Sequence, residues 1–322
     1  MLHPKLRSIF EFINQSIQDK KGTSKRGRPY VYNWCSMLLF FISAMKRGKY
    51  SFKGMEQYAK AHYAKYGFEK APSRFTLSRR FAQLPYLLQW LMPQVAQRAI
   101  SLDERFDFGI GFIDKSLFRA KGGIWHKKHM LINLIPHSSI DTEASWGKSA
   151  YFGWRFGYAL HLICNASRFP VAALVTTGSA KDIHQVFPLT SLIKASLKLL
   201  LGDKGYKAVR PIKKLLNAHK IMLINGIIYK MKSHFKNWLS CINNSEFAQR
   251  LYRKRKTSVE PVFSLIKELF DLKNETQLPY KGLKKNQSFL MLITFSVQIM
   301  MIFNSIFYQN LGHTHQFFNL LD

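Results

Sequence analysis

Acidic residues are scarce in this chain: 18 Asp and Glu stand against 49 Lys and Arg, a formal net charge of +31 over 322 residues. A surface of that sign repels other basic proteins and gathers polyanions, and nucleic acid is the partner it points to. Cysteine is sparse too. Cys35, Cys164 and Cys241 lie far apart with no Cys-x-x-Cys spacing, which argues against a disulfide framework or a cysteine zinc site and fits a reducing cytosolic compartment. The N-terminal MLHPKLRSIF lacks the apolar stretch and small-residue cleavage site of a secretory signal. Apolar runs of membrane-span length are absent but for one, Phe289 to Phe307, which Gln298 and Asn304 interrupt. It is expected as a buried C-terminal core helix whose two amides find buried partners, and not as a membrane span. What is plentiful is apolar sequence, 47% with 14% aromatic, enough for a sizeable core and incompatible with a disordered basic tail.

The first hundred residues read as helices. Leu6, Ile9, Phe10, Ile13 and Ile17 recur at helical spacing. A polar loop follows from Lys20 to Tyr30; its RGRP core, Arg26 to Pro29, is either an arginine hook for an A·T-rich minor groove or a basic linker. A helix is expected over Val31 to Arg47, ended by Gly48, and another over Phe52 to Tyr66, capped by Ser51. RFTLSRRFAQL then places Phe75, Leu77, Phe81 and Leu84 on an apolar face and Arg74, Arg79 and Arg80 on others. Two short helices, the second rich in arginine, form a helix-turn-helix pattern, although helical bundles also carry surface arginines. Pro85 opens a further helix to about Ile100.

Beyond residue 104 the character changes to strands. FDFGIGFID, FGYALHLICN and PVAALVTTG read as three strands, Asp182 opens a helix to about Lys198, LKLLLGD is a fourth strand, Tyr206 to His219 a helix, and IMLING a fifth strand. Ser258 can cap a last helix carrying Glu260, with Pro261 tolerated in its first turn. Three strands, helix, strand, helix, strand, helix is the order of a ribonuclease-H-like core, in which the ends of the first and fourth strands lie side by side. The expected fold is therefore α/β, a mixed sheet of that kind flanked by helices. An all-helical, basic region (1–104) is expected to precede the α/β domain (105–272), with a helical extension (273–322) packed on the core.

In a chain so poor in acids, Asp114, Asp203 and Glu260 each fall at an element end amid basic sequence. Each alone could be an ordinary turn or cap residue. Together they suit two hard cations that offset their mutual repulsion, activate a water and stabilise the leaving oxygen of a phosphodiester. Glu260, Phe263, Lys267 and Phe270 follow one helical face, and Arg250, Arg253, Lys254, Arg255 and Lys256 stand just before, a cluster suited to phosphates.

The strings AKGGIWHKKHM (Ala120 to Met130), PHSSIDTEASWGKS (from Pro136), GWRFGYALHL (from Gly153), VTTGSAKDIH and GDKGY, with the Glu260 helix ending in Lys267, resemble bacterial insertion-sequence transposases of the DDE class. The resemblance covers most of residues 50 to 305, including YSFKGMEQYA and PSRFTLSRRFAQL. It implies a ribonuclease-H-like core, a triad of Asp114, Asp203 and Glu260 holding two Mg2+ or Mn2+ ions, and strand transfer at terminal inverted repeats. Ala159 replaces a usual lysine, and Arg253 and Lys256 stand where tyrosine and arginine are usual, while Lys267 is kept. The expected partners are double-stranded DNA, as transposon ends and target, and a second copy of the chain in the DNA complex. The expected location is the cytoplasm, on the nucleoid, with no membrane. Within the resemblance, a nuclease that only cleaves and an idle DNA-binding descendant remain alternatives. Lys127 and Lys128 join Arg79 and Arg80 as candidate DNA contacts. His126, His129, His137 and Asp141 suggest zinc less than phosphate contact or loop packing. Trp125, Trp146 and Trp154 could stack on an unpaired base or pack in the core.

Overall fold

The computed structural model describes residues 4–21, 31–149, 153–193, 196–230, 233–272, 276–307, 310–314 and 317. The RGRP segment and most of the final tail fall outside the described residues. Five helices come first: α1 (Pro4–Lys21), α2 (Trp34–Lys46), α3 (Phe52–His62), α4 (Arg74–Phe81) and α5 (Leu84–Ile100). Ser51 and Ser73 cap α3 and α4 by accepting from the backbone N–H groups of Gly54 and Thr76, and Gly48, with φ +69°, ends the turn after α2 in a conformation glycine adopts freely. Phe75, expected on the apolar face, is instead exposed; α4 buries Leu77, Arg80 and Phe81.

The sheet contains β1 (Ile110–Arg119), β2 (Ser145–Ser149), β3 (Gly153–Asn165), β4 (Pro170–Thr177), β5 (Leu199–Leu201) and β6 (Met222–Ile224). Along β4–β3–β1–β5–β6 the first two pairings are antiparallel and the last two parallel. This is the mixed, ribonuclease-H-like order expected from the sequence. Between the strands lie α6 (Lys127–Leu131), α7 (Asp182–Ser191) and α8 (Val209–His219), and beyond them α9 (His234–Asn244), α10 (Glu246–Leu269) and α11 (Leu283–Ile306). α10 packs on β1, β3 and β5, while α11 and α5 pack on each other and on β4.

Several boundaries differ from expectation. β1 continues five residues past Asp114 because β3 is long enough to pair it as far as Arg119↔Gly157, so Asp114 sits mid-strand and not at a strand end. The short β2 has no apolar alternation to announce it; it exists by pairing with the first residues of β3. α7 stops at Ser191, and a 3-10 turn over Lys204–Tyr206 precedes α8. The largest correction concerns α10. Ser245, not Ser258, is its N-cap, accepting from Ala248 N–H, so Glu260 and the Arg250–Lys256 cluster all lie inside one 24-residue helix. Ser258 is buried and donates to Lys254 O. Pro261 is then interior and lacks the N–H that would bond Thr257 O, a defect that ordinarily costs about 3 kcal/mol. Arg168 Nε donates to that carbonyl at 3.1 Å and satisfies it.

The apolar run becomes α11, long and apolar enough to cross a membrane but with its apolar stretch buried inside the protein. The amide N–H groups of Gln298 and Asn304 are partnered as expected, while their side-chain oxygens are buried without a hydrogen-bond partner among the described residues. Gln298 Nε2 donates to Met92 O on α5 and Pro170 O on β4, both at 2.9 Å. Ser288 donates to Phe81 O, and Asn304 Nδ2 donates to Leu311 O and His313 O, folding the following turn back onto the helix end. Gln298→Leu should therefore lower stability in denaturant unfolding by about 1–3 kcal/mol, because two buried carbonyls lose a donor. An unchanged midpoint would show that the amide does not anchor α11.

Candidate active site

The carboxylate pair is set by strand register. β1 and β5 run parallel with Phe112 opposite Leu201, and Asp114 and Asp203 are each two residues beyond that rung. Gly202 makes the exit from β5 possible, since a Cβ there would stand 2.7 Å from the Tyr206 ring. Asp203 accepts the Gly205 N–H at 2.8 Å and so caps the 3-10 turn. Asp114 accepts the Lys115 N–H through Oδ1 at 2.8 Å and the Arg255 guanidinium Nη1 through Oδ2 at 2.9 Å. The other end of the guanidinium, Nη2, is 3.8 Å from Glu260 Oε1. Asp114 and Glu260 thus meet at Arg255, and Asp203 lies close enough to Asp114 for its charge to act on that carboxyl. The Glu260 side chain is 54% exposed against 22% for Asp114, and it lines an open groove of about 1090 Å³ with Lys256, Arg168 and Arg105.

Two further groups complete the surroundings. Lys115 Nζ pairs with Asp182, the first residue of α7, at 2.5 Å. Tyr206 is fully buried, and among the described residues its hydroxyl has no hydrogen-bond partner. Burial pushes the Asp114 carboxyl up to about 6, a shift that the Lys115 N–H and the Arg255 charge oppose and the Asp203 charge assists. Asp182 is raised by burial and by Asp203 against the pull of Lys115. Tyr206 is raised well above its ordinary range by burial and by the charges of Asp114, Asp182 and Asp203. On β3, opposite Lys115, His161 is forced down to about 3 by burial and by the lysine charge, so it is neutral at pH 7 and shares a 2.9 Å hydrogen bond with Thr176.

A model of the transposase DDE domain matches residues 106–299, more than half of the chain. The chain belongs to the transposase DDE domain family. Comparison with curated proteins finds no match. Among solved structures, a piggyBac transposase synaptic complex with hairpin DNA is similar at a TM-score of 0.41 and 11% identity over 98% of this chain and 76% of that one. That likeness is too distant to specify a site.

DDE transposases generally use divalent metal ions, and the donors present are of the right kind: carboxylate oxygens suit hard cations such as Mg2+ or Mn2+. Burial already makes ionised Asp114 costly, so the site calls for a counter-charge. Asp114, Asp203 and Glu260 are the residues that would hold it. Among the described residues no three His, Cys, Asp or Glu side chains form a ready-made metal cage, and Arg255 stands between two of the triad.

The remaining candidates divide into exposed and engaged residues. Arg79, Lys127, Lys128, Arg253, Lys254 and Lys256 are exposed, as is Arg250, which pairs with Glu246 one turn away. Arg80 is not available to DNA: it is 4% exposed, donates to Tyr32 O and lies over the Trp34 ring. Arg255 likewise belongs to the site interior and not to a solvated basic face. Both sit in the apolar stripe of their helix. Leu77, Arg80 and Leu84 are spaced three and four apart, as are Arg255, Val259, Val262, Ile266 and Leu269, so spacing alone carried a signal for their burial. Lys267 is half-buried with its ammonium 5.5 Å from the Phe118 ring, and burial, helped by Arg155, lowers its pKa. Asp141 is spent on Tyr158 and the Gly282 N–H, which removes it from a zinc site. Trp125 and Trp146 use their indole N–H groups to staple the β1–β2 connection through Leu134 O and Trp125 O. Trp154 is exposed beneath the Lys127 ammonium. Asp182 was legible as lying near the first strand, but not its pairing with Lys115, since the partners meet only in three dimensions.

Asp114 ionises near 3.8 without its folded surroundings and near 6 within them. A raised acid contributes stability that is full below its unfolded value and lost as pH rises through its folded value. In chelator-treated protein, wild-type stability relative to Asp114→Asn should therefore fall between about pH 4 and 7, by on the order of 2 kcal/mol. A difference that stays flat with pH would show that Asp114 titrates normally.

Proposed function

We propose that this chain is an insertion-sequence transposase that binds terminal inverted repeats and catalyses phosphodiester hydrolysis and strand transfer with two Mg2+ or Mn2+ ions at Asp114, Asp203 and Glu260. The observation that carries the reading is the shared offset of Asp114 and Asp203 beyond one parallel rung, with Glu260 joined to Asp114 through Arg255. Bound divalent cations would supply Lewis-acid polarisation of the phosphodiester and of the attacking oxygen. The chain's own residues do the rest. Asp114 and Asp203 present oxygens from a rigid strand pair, and Glu260 presents one from the edge of the open groove. Exposed Arg253, Lys254 and Lys256 attract the DNA backbone and set a salt-dependent affinity. Lys267, about 10 Å further along α10 than Glu260, offers its charge beside Phe118.

Residues 1–104 serve as the DNA-end-binding region, with Arg79 on the exposed side of α4. Residues 105–272 form the catalytic domain and 273–322 the extension that supports it. The protein acts on nucleoid DNA in the cytoplasm, as a dimer when both ends are bound. The absence of a ready-made cage among the described residues favours one other reading, a DNA-binding descendant whose site is idle.

Asp114→Asn, Asp203→Asn and Glu260→Gln should each abolish cleavage and joining of end-bearing DNA while leaving DNA binding, measured in chelator, within about twofold, since each removes ligand charge and no phosphate contact. A variant that cuts at near the wild-type rate would remove its residue from the site. A wild-type protein that binds but neither cuts nor joins would establish the idle reading.

A further inference from the structure

We propose that Arg255 is a positioning residue that occupies the place of a divalent cation between Asp114 and Glu260 and passes to a DNA phosphate when the cation enters. The inference rests on the transposase reading of the site. Both oxygens of Asp114 are engaged, Oδ1 by the Lys115 N–H at 2.8 Å and Oδ2 by Arg255 Nη1 at 2.9 Å, while Nη2 reaches to 3.8 Å from Glu260 Oε1. A guanidinium seated between the two carboxylates repels a second cation approaching the same oxygens, so metal and Arg255 compete for the same acids.

The guanidinium cannot resolve the competition by losing a proton, because arginine stays charged at any working pH. It also cannot remain where it is without anions. Its side chain is 10% exposed and occupies the buried stripe of α10 with Val259 and Val262, and leaving such a charge unpaired is strongly unfavourable. Release therefore requires another anion within reach of the same arm. Arg253, Lys254 and Lys256 are exposed around it on α10 and gather phosphates, and a phosphate takes the guanidinium fork with the same two-point geometry that a carboxylate does. The exchange leaves no charge unpaired: the cation takes over the carboxylates and the arginine takes over a backbone phosphate. By reciprocity, DNA must strengthen cation binding and the cation must strengthen DNA binding. A fixed structural ion pair would produce neither effect through Arg255.

Mn2+ binding to the full chain, measured by titration of the free-ion paramagnetic signal with and without a short duplex, separates these cases without any turnover. In the absence of DNA, Arg255→Gln should bind Mn2+ about tenfold more tightly than wild type, with Arg255→Lys between them because an ammonium cannot bridge both acids. Duplex should tighten Mn2+ binding in wild type and do so much less in Arg255→Gln. If Arg255→Gln binds no tighter than wild type, or duplex tightens both equally, Arg255 is a fixed ion pair and the proposal fails. Should Arg255→Gln not fold, Arg255→Lys decides: tighter binding than wild type supports the exchange, and equal or weaker binding overturns it. Asp114→Asn should abolish the Mn2+ site in both the wild-type and Arg255→Gln backgrounds. If it does not, the metal site itself is misassigned, an outcome distinct from failure of the Arg255 exchange.

Discussion

The parallel pairing of β1 with β5 is the constraint on which the site depends. It spans only Ile110 to Phe112 and Leu199 to Leu201, yet it sets both aspartates at the same level, and a slip of one residue would turn every side chain of β5 to the opposite face. The packing beneath it leaves little freedom. A Cβ at Gly111 would stand 2.8 Å from Leu197 and 3.1 Å from Ile163, so glycine there lets the lead-in to β5 lie close against β1. α10 crosses β1, β3 and β5, and the bond from Arg168 to Thr257 O lets that helix continue through Pro261 with Glu260 in its middle.

Electrostatics explains why the same chain can be so basic outside and acidic at one point within. Asp114, Asp182 and Asp203 lie near enough that the charge of Asp203 raises the pKa of each of the other two. Lys115 answers Asp182 and Arg255 answers Asp114. Around this centre Arg250, Arg253, Lys254 and Lys256 of α10 remain in solvent. On the proposed reading, the outer cations would draw phosphate toward acids that otherwise repel it, and a divalent cation bound at those acids would make the two sets of charges compatible.

Much of this was legible in the sequence, and the misses have physical causes. Asp203 was plain because an apolar run, a glycine and an aspartate in succession describe a buried strand leaving its sheet. The core strands were found by their apolar character, whereas β2 was not, since SWGKS acquires strand geometry only from its partner. Asp114 was placed at a strand end because Lys115 and Ser116 interrupt the apolar run, and Pro261 suggested a helix start where there is an interior. Arg80 and Arg255 were read as surface cations by residue type, although their positions in apolar stripes marked them as inward. The amides of α11 were read correctly on the donor side, where both NH2 groups find carbonyls, while their oxygens are buried without a partner among the described residues.

The measurement that bears most directly on the account is anomalous diffraction from crystals of the protein with duplex DNA grown in Mn2+. The account requires a manganese peak bounded by the carboxylates of Asp114 and Asp203, with Arg255 turned away from Asp114 toward a phosphate. Manganese bound elsewhere, with Asp114 and Arg255 still paired, would contradict it.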